Sequence, residues 1–253
     1  MNASFLPLLL CLSVTSAAAQ EIASADTLTP TVFAVPAAAS ARGQQMVQGT
    51  TRDLSQLRVY VHTLSVGESF TPSAGDSSDH LLITKQGSLA VSIDTVHKAL
   101  GPGGIALFAA GKRPTLKNAR SDKAVFYLFS FRSRHTPNPD QPKTATSIDW
   151  PDMVMKKTDK GESRQIFSCP TAWLSKIDMH ATTLEPGQIS HPQHVHRAEE
   201  IILLRSGHVR MHIADGYKNA SAGDLVFLPS GVPHDLENSK TGRAEYFALQ
   251  WMP

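Results

Sequence analysis

The sequence predicts an all-β protein of two tandem β-barrels, the second a copy of the first, and three observations carry that prediction. First, shifting the chain by 120 residues superposes landmark after landmark without a gap. Thr63-Leu64 meets Thr183-Leu184, Gly67 meets Gly187, Pro72 meets Pro192, Gly87 meets Gly207 and Gly103 meets Gly223; Gly111, Leu116 and Asn118 then meet Gly231, Leu236 and Asn238. Chain geometry constrains glycine and proline most tightly, so a constant offset over this many positions argues for a duplicated domain. Second, IILLRSGHVRMHIAD contains two alternating apolar runs split by Ser206-Gly207, a hairpin signal. Third, short β-prone runs recur with regular turn signals, the pattern of a sandwich or barrel: GDLVFLPSGVPHDLEN and RAEYFALQW in one copy, HLLITKQGSLAVSID, GGIALFAAGKRP and KAVFYLFSF in the other.

From the N-terminus, residues 5–19 (FLPLLLCLSVTSAAA) carry no charged side chain and end in Ala17-Ala18-Ala19, the pattern of a secretory signal peptide over 1–19 cut before Gln20. No other apolar run approaches the roughly 18 residues of a membrane span. Cleavage would remove Cys11 and leave Cys169 alone, so an internal disulfide is not expected and Cys169 reads as a small buried or edge residue. Residues 20–54, rich in Ala, Thr and Gln, read as a loosely packed arm, and 55–135 as the first barrel. Pro137, Pro139, Pro142 and Pro151 mark a stiff, exposed linker within 136–165, and 166–253 is the second barrel. A net charge of +2 is too small to argue for nucleic acid or an anionic membrane surface.

The chemistry concentrates in HPQHVHRAEE, residues 191–200. Residues two apart on a strand share a face, so His194, His196 and Glu200 can point together into a barrel. His234, after the Pro229-Ser230-Gly231 turn, can bring a fourth group from a separate strand pair. Three imidazoles and one carboxylate suit Mn, Fe(II), Ni, Co or Zn rather than Ca or Mg, and four protein ligands leave about two octahedral positions open. In the first copy the matching positions hold Ala74, Asp76, His80 and Pro114, a set that lacks both imidazoles of the His-x-His pair.

These residues resemble the cupin superfamily. HVHRAEEIILLRSG fits its first motif, His-x-His, three residues, Glu, six residues, Gly. GDLVFLPSGVPHDLEN fits the second, Gly, five residues, Pro-x-Gly, two residues, His, three residues, Asn; Gly187 alone stands one residue further from His194 than the pattern has it. The resemblance covers about residues 55–253 and implies a jelly-roll-like bicupin. It places His194, His196, Glu200 and His234 in the family's ligand positions, with a metal in the C-terminal cupin only. Cupins with this ligand set are similar to dioxygenases, decarboxylases, isomerases, epimerases, lyases and aminohydrolases, and fold does not choose among them.

The expected function is an exported, periplasmic or secreted, metal-dependent enzyme. It would act on a small polar, oxygen-bearing substrate (a sugar or a hydroxy or keto acid) through one divalent transition metal, Mn or Fe ahead of Zn, Ni or Co. A non-catalytic bicupin that binds metal or a small ligand is the rival, and a ureidoglycine aminohydrolase-like hydrolase a weaker alternative. The expected partner is a small-molecule substrate, not nucleic acid or a membrane after signal cleavage; a homodimer is among the assemblies the reading allows. His191, beside the open positions, is either solvated or in contact with substrate. His208, Arg210 and His212 alternate on one strand face, so Arg210 or His212 either meets an anionic ligand or faces solvent. Glu199, opposite in parity to Glu200, is expected to be exposed, and Phe227, Tyr246 and Trp251 are expected in the core. His62 and His180 receive no role.

Overall fold

The structure is a computed structural model that describes residues 26–36, 43–73, 75–120, 122–138, 140 and 145–253. The segment 1–19 expected as a signal peptide, with Cys11, and also Ala74, Pro139 and Pro142 lie outside the described residues. The strands fall into four antiparallel sheets. One large sheet runs, in spatial order, β11 (Ala145–Ile148), β8 (Ile105–Phe108), β5 (Asp79–Gln86), β10 (Ala124–Ser133), β3 (Leu54–Leu64) and β2 (Gln44–Gly49). The other runs β1 (Thr31–Phe33), β18 (Leu225–Leu228), β15 (Glu199–Ser206), β20 (Ala244–Met252), β14 (Lys176–Leu184), β13 (Gly161–Cys169) and β12 (Met155–Thr158). Two smaller sheets complete the fold. They are β4 (Ser69–Phe70), β9 (Thr115–Lys117), β6 (Leu89–Ile93) and β7 (Val96–Leu100), and β17 (Gly216–Ser221), β16 (His208–Ile213) and β19 (His234–Glu237).

Period-2 alternation sorts the apolar side chains into three cores among the described residues. On β15, Ile202 and Leu204 pack with Val209, Met211 and Leu236 of the small sheet, inside one barrel. Ile201 and Leu203, on the opposite face, pack with Leu81, Ile83 and Phe129 of the other large sheet. β5 repeats the pattern, with Leu82 turned toward Val91 and Leu116. Both faces of each large sheet are therefore buried, and the two large sheets are stacked back to back. Phe227, Tyr246 and Trp251 lie in these cores, at 5% exposure or less.

The 120-residue offset recurs in local hydrogen bonds. Asn118 Nδ2 donates to the Leu64 and Asp122 carbonyls, and Asn238 Nδ2 donates in the same way to Leu184 and Gly242. Thr51 Oγ1 accepts from the Leu54 amide as Thr171 Oγ1 does from Leu174.

Two segments differ from their expected character. The arm predicted over 20–54 supplies β1, which pairs with β18, and β2, which pairs with β3. The linker predicted over 136–165 supplies β11, on the edge of the first large sheet beside β8, as well as β12 and the start of β13. Each of the two edges beside β8 and β18 is thus covered by a strand from outside its own repeat, which removes a row of unpaired backbone groups.

Candidate metal centre

The side chains that converge do so by a route other than strand parity. His194 and His196 precede β15, in irregular chain, and Glu200 alone of the three lies on that strand. What fixes the loop is a pair of backbone hydrogen bonds between His194 and His234, 3.2 and 3.0 Å, and a third from Gly231 N to the His196 carbonyl at 2.9 Å. Gly231 has φ of 77°, the left-handed conformation that lets the Pro-Ser-Gly turn swing β19 and His234 back toward the loop.

Candidate ligand atoms of His194, His196 and His234 lie within 4.8 Å of one another. Glu200 Oε2 is 3.2 Å from His196 Nε2 and 3.3 Å from His234 Nε2. Carbonyl oxygens can only accept, so their positions set the tautomers. His196 Nδ1 donates to Ala198 O at 2.7 Å, His234 Nδ1 to Val232 O at 2.8 Å and His194 Nδ1 to His234 O at 3.3 Å. Each ring keeps its Nε2 for another partner. His234 Nε2 is buried and, despite its nearness to Glu200, makes no hydrogen bond.

The electrostatics match a cation site. Burial at 5% exposure pushes the Glu200 carboxyl upward, but the hydrogen bond with His196 and the attraction of the nearby His196 and His234 rings prevail and hold it down at about 2. The hydrogen bond to Glu200 raises His196, against burial. Burial first, and then His191 and His234, lowers His194. A buried, ionised carboxylate ringed by imidazoles, with an unused buried nitrogen, suits a borderline divalent metal with nitrogen and oxygen ligands.

The centre opens into a cavity of about 460 Å³. Inward residues of the large sheet wall it: His180 and Thr182 on β14, Ile202 on β15, and Tyr246, Ala248 and Gln250 on β20. Met211, Leu228 and Leu236 supply apolar surface, and burial lifts the Tyr246 hydroxyl to about 12. His191 lines the cavity, stacks edge-on against His194 with centroids 4.0 Å apart, and is lowered chiefly by burial. His180 and Gln250 escaped sequence reasoning; their even parity with Leu184 and Tyr246 was the available signal.

One expectation is corrected, that for Glu199, and the alternatives left open for Arg210 and His212 resolve against a contact with the cavity. Arg210 does not reach the cavity: it is exposed, ion-paired to Glu237 and stacked over Tyr217, because Val209, Met211 and Ile213 take the barrel-facing side of β16. His212 is held outside by Asp235 at 3.1 Å and by Gln193 at 3.2 Å. Glu199, expected in solvent, is 0% exposed. Its carboxylate accepts from Thr51 Oγ1 (2.5 Å), the Arg52 and Asp53 amides (3.1 and 3.2 Å) and Trp251 Nε1 (3.1 Å). The face opposite Glu200 meets the other half of the molecule, not water. Beside it Arg197 forks onto Asp53 at 2.7 and 2.9 Å, so the loop that carries the histidines is tied to residues 51–53.

At the matching positions of the first half, His80 Nδ1 bonds Ser130 Oγ at 2.9 Å, Asp76 is 3.7 Å from His80 Nε2, and Pro114 is buried. Cys169 is half-buried against the inter-sheet core, and burial pushes its thiol up, away from nucleophilic use.

A model of the cupin domain matches residues 180–249. No curated protein matches the sequence. Several solved structures share the fold. AerE from Microcystis aeruginosa is 12% identical, covers 88% of this chain and 97% of its own, and superposes with a TM-score of 0.65. Protein Ylba from E. coli is 16% identical over 77% of this chain and 76% of its own, TM-score 0.61. A mutant of Bacillus subtilis oxalate decarboxylase OxdC is 15% identical over 79% of this chain and 70% of its own, TM-score 0.63. The Mn(II) centres of that decarboxylase were the subject of a further structure with a TM-score of 0.62. Residues 180–249 thus match the cupin domain, and the chain has the β-barrel jelly-roll fold of these solved structures.

Proposed function

We propose that this protein is an exported, metal-dependent bicupin enzyme with one divalent transition metal, Mn or Fe ahead of Zn, Ni or Co. His194, His196, Glu200 and His234 hold it in the C-terminal half; the first half keeps the barrel without the ligands. The observation that carries this reading is the convergence of three imidazoles on a buried carboxylate, with His234 Nε2 buried and without a hydrogen bond. The fold relationship to an oxalate decarboxylase with Mn(II) centres supports the choice of metal class. A bound metal supplies Lewis-acid polarisation of substrate oxygens or, as iron, access to oxygen chemistry.

The chain's own residues do the rest. The Ala198, Val232 and His234 carbonyls fix the three rings by their Nδ1 protons, so that Nε2 is the ligating atom. Ile202, Met211, Leu228 and Leu236 exclude water around a small oxygen-bearing substrate such as a sugar or a hydroxy or keto acid. His191 donates from Nδ1 to the Pro192 carbonyl at 3.2 Å, which leaves Nε2 as a proton acceptor beside the open side of the site. The test is a screen of hydroxy acids, keto acids and sugars against protein reconstituted with Mn, Fe, Co, Ni or Zn. Turnover should require metal and vanish in His196→Ala; equal turnover in chelator-stripped protein would defeat the reading.

A further inference from the structure

The β12–β13 hairpin places a lysine over this cavity, and nothing in the histidine and glutamate set accounts for it. Lys160 stands at the tip of the hairpin, where a lysine is ordinarily exposed, yet it is half-buried and lines the cavity with His191 and Glu200. Its backbone is pinned, because the Glu185 amide donates to the Lys160 carbonyl at 2.9 Å. The next residue must be glycine: Gly161 has φ of 144°, and a Cβ there would lie 2.1 Å from the Thr183 carbonyl oxygen. From this fixed base the side chain crosses the mouth, and Nζ donates to the Ser190 carbonyl at 2.9 Å.

Charge pairing around the cavity sets Lys160 apart. Of the four lining carboxylates, three have partners of their own: Glu162 has Arg243 (2.9 Å) and Arg164 (3.2 Å), Asp235 has His212 (3.1 Å), and Glu200 has the imidazoles; the fourth, Asp159, is exposed at the hairpin turn and forms no ion pair with Lys160. Lys160 is the one lysine or arginine lining the cavity among the described residues, and its ammonium is bonded to a neutral carbonyl, which takes one of three donors. A half-buried ammonium with a neutral partner favours an incoming anion.

We propose that Lys160 binds a carboxylate on the substrate, distal to the oxygens that meet the histidine and glutamate end. This rests on the metal-site reading above and narrows its substrate class from sugars to acids with a second anionic group. The metal-reconstituted full chain, wild type and Lys160→Met, is titrated by calorimetry with three probes that share a chelating 2-hydroxy acid head: lactate, malate and 2-hydroxyglutarate. Metal affinity is measured first in both proteins and should be equal. Wild type should bind at least one diacid about tenfold or more tightly than lactate, the size of one charge-assisted hydrogen bond. Lys160→Met should lose that preference while its lactate affinity stays within about twofold, and Lys160→Arg should keep most of it. Absence of a diacid preference in wild type, or an unchanged preference in Lys160→Met, overturns the lysine assignment and leaves the metal site standing. Failure of wild type to take up metal instead overturns the metal-site reading itself.

Discussion

Removing the Glu199 carboxylate should destabilise the whole molecule, not merely a surface. In Glu199→Ala, a threonine hydroxyl, two main-chain amides and an indole N–H lose their acceptor at a position with 0% exposure. Each buried donor without a partner costs about 1–3 kcal/mol in isolation. Water entering the vacated space recovers part of the sum, so the expected loss is about 3–5 kcal/mol, as for one partner removed from a buried charged network. That is a large share of the roughly 5–15 kcal/mol that stabilises a native protein. At about 2–4 °C per kcal/mol for a chain of this size, the melting temperature should fall by about 6–20 °C. Glu199→Gln keeps the shape but turns one group from acceptor to donor, and should lose about 1–3 kcal/mol. Urea unfolding followed by tryptophan fluorescence reads this directly, since Trp251 donates to the same carboxylate. A loss below about 0.5 kcal/mol, the usual effect of an exposed position, would refute the buried latch and restore the solvent-facing reading of the sequence.

Three further outcomes are expected. His234→Ala or His196→Ala should abolish tight metal binding while far-UV circular dichroism stays that of the folded β protein, because each removes a ring but leaves the apolar cores intact; unfolding would show that the rings hold the fold. Gly161→Ala should cost about 1–3 kcal/mol, since the added Cβ meets a backbone oxygen in a conformation L residues rarely adopt; an unchanged urea midpoint would contradict the hairpin geometry. The third concerns acid. His80, at 2% exposure, is held below its ordinary 6.5 by burial, so the unfolded chain binds a proton there that the folded chain does not. Stability from this group is present above pH 6.5 and is lost as pH falls from 6.5 toward the lower folded value. His80→Gln should flatten that part of the stability–pH curve, whose slope for one proton is about 1.36 kcal/mol per pH unit; an equally steep curve in the variant would rule His80 out as its source.

The 120-residue offset was legible because glycine, proline and asparagine carry geometry in their identities: Asn118 and Asn238 make the same two bonds to carbonyls 120 residues apart. The convergence of His194, His196, Glu200 and His234 was legible from chemistry and spacing, although strand parity was not its cause, since only Glu200 of the first three lies on β15. What stayed hidden depends on contacts distant in sequence. Alternation placed Glu199 and Glu200 on opposite faces, but one sequence does not say that both faces are buried, one by its own barrel and the other by residues 51–53. Lys160 lay in a stretch read as linker from its four prolines, Pro137, Pro139, Pro142 and Pro151. The same pattern around Arg210 and His212 left two faces open until the apolar set, Val209, Met211 and Ile213, was seen to take the inside.

The measurement that bears most directly on the account is metal content by elemental analysis of the purified full chain, beside His234→Ala and an Asp76→Ala/His80→Ala double variant. One transition metal per chain is expected in wild type and in the double variant, and close to none in His234→Ala. Two metals per chain, or a single metal lost from the double variant but kept in His234→Ala, would contradict it.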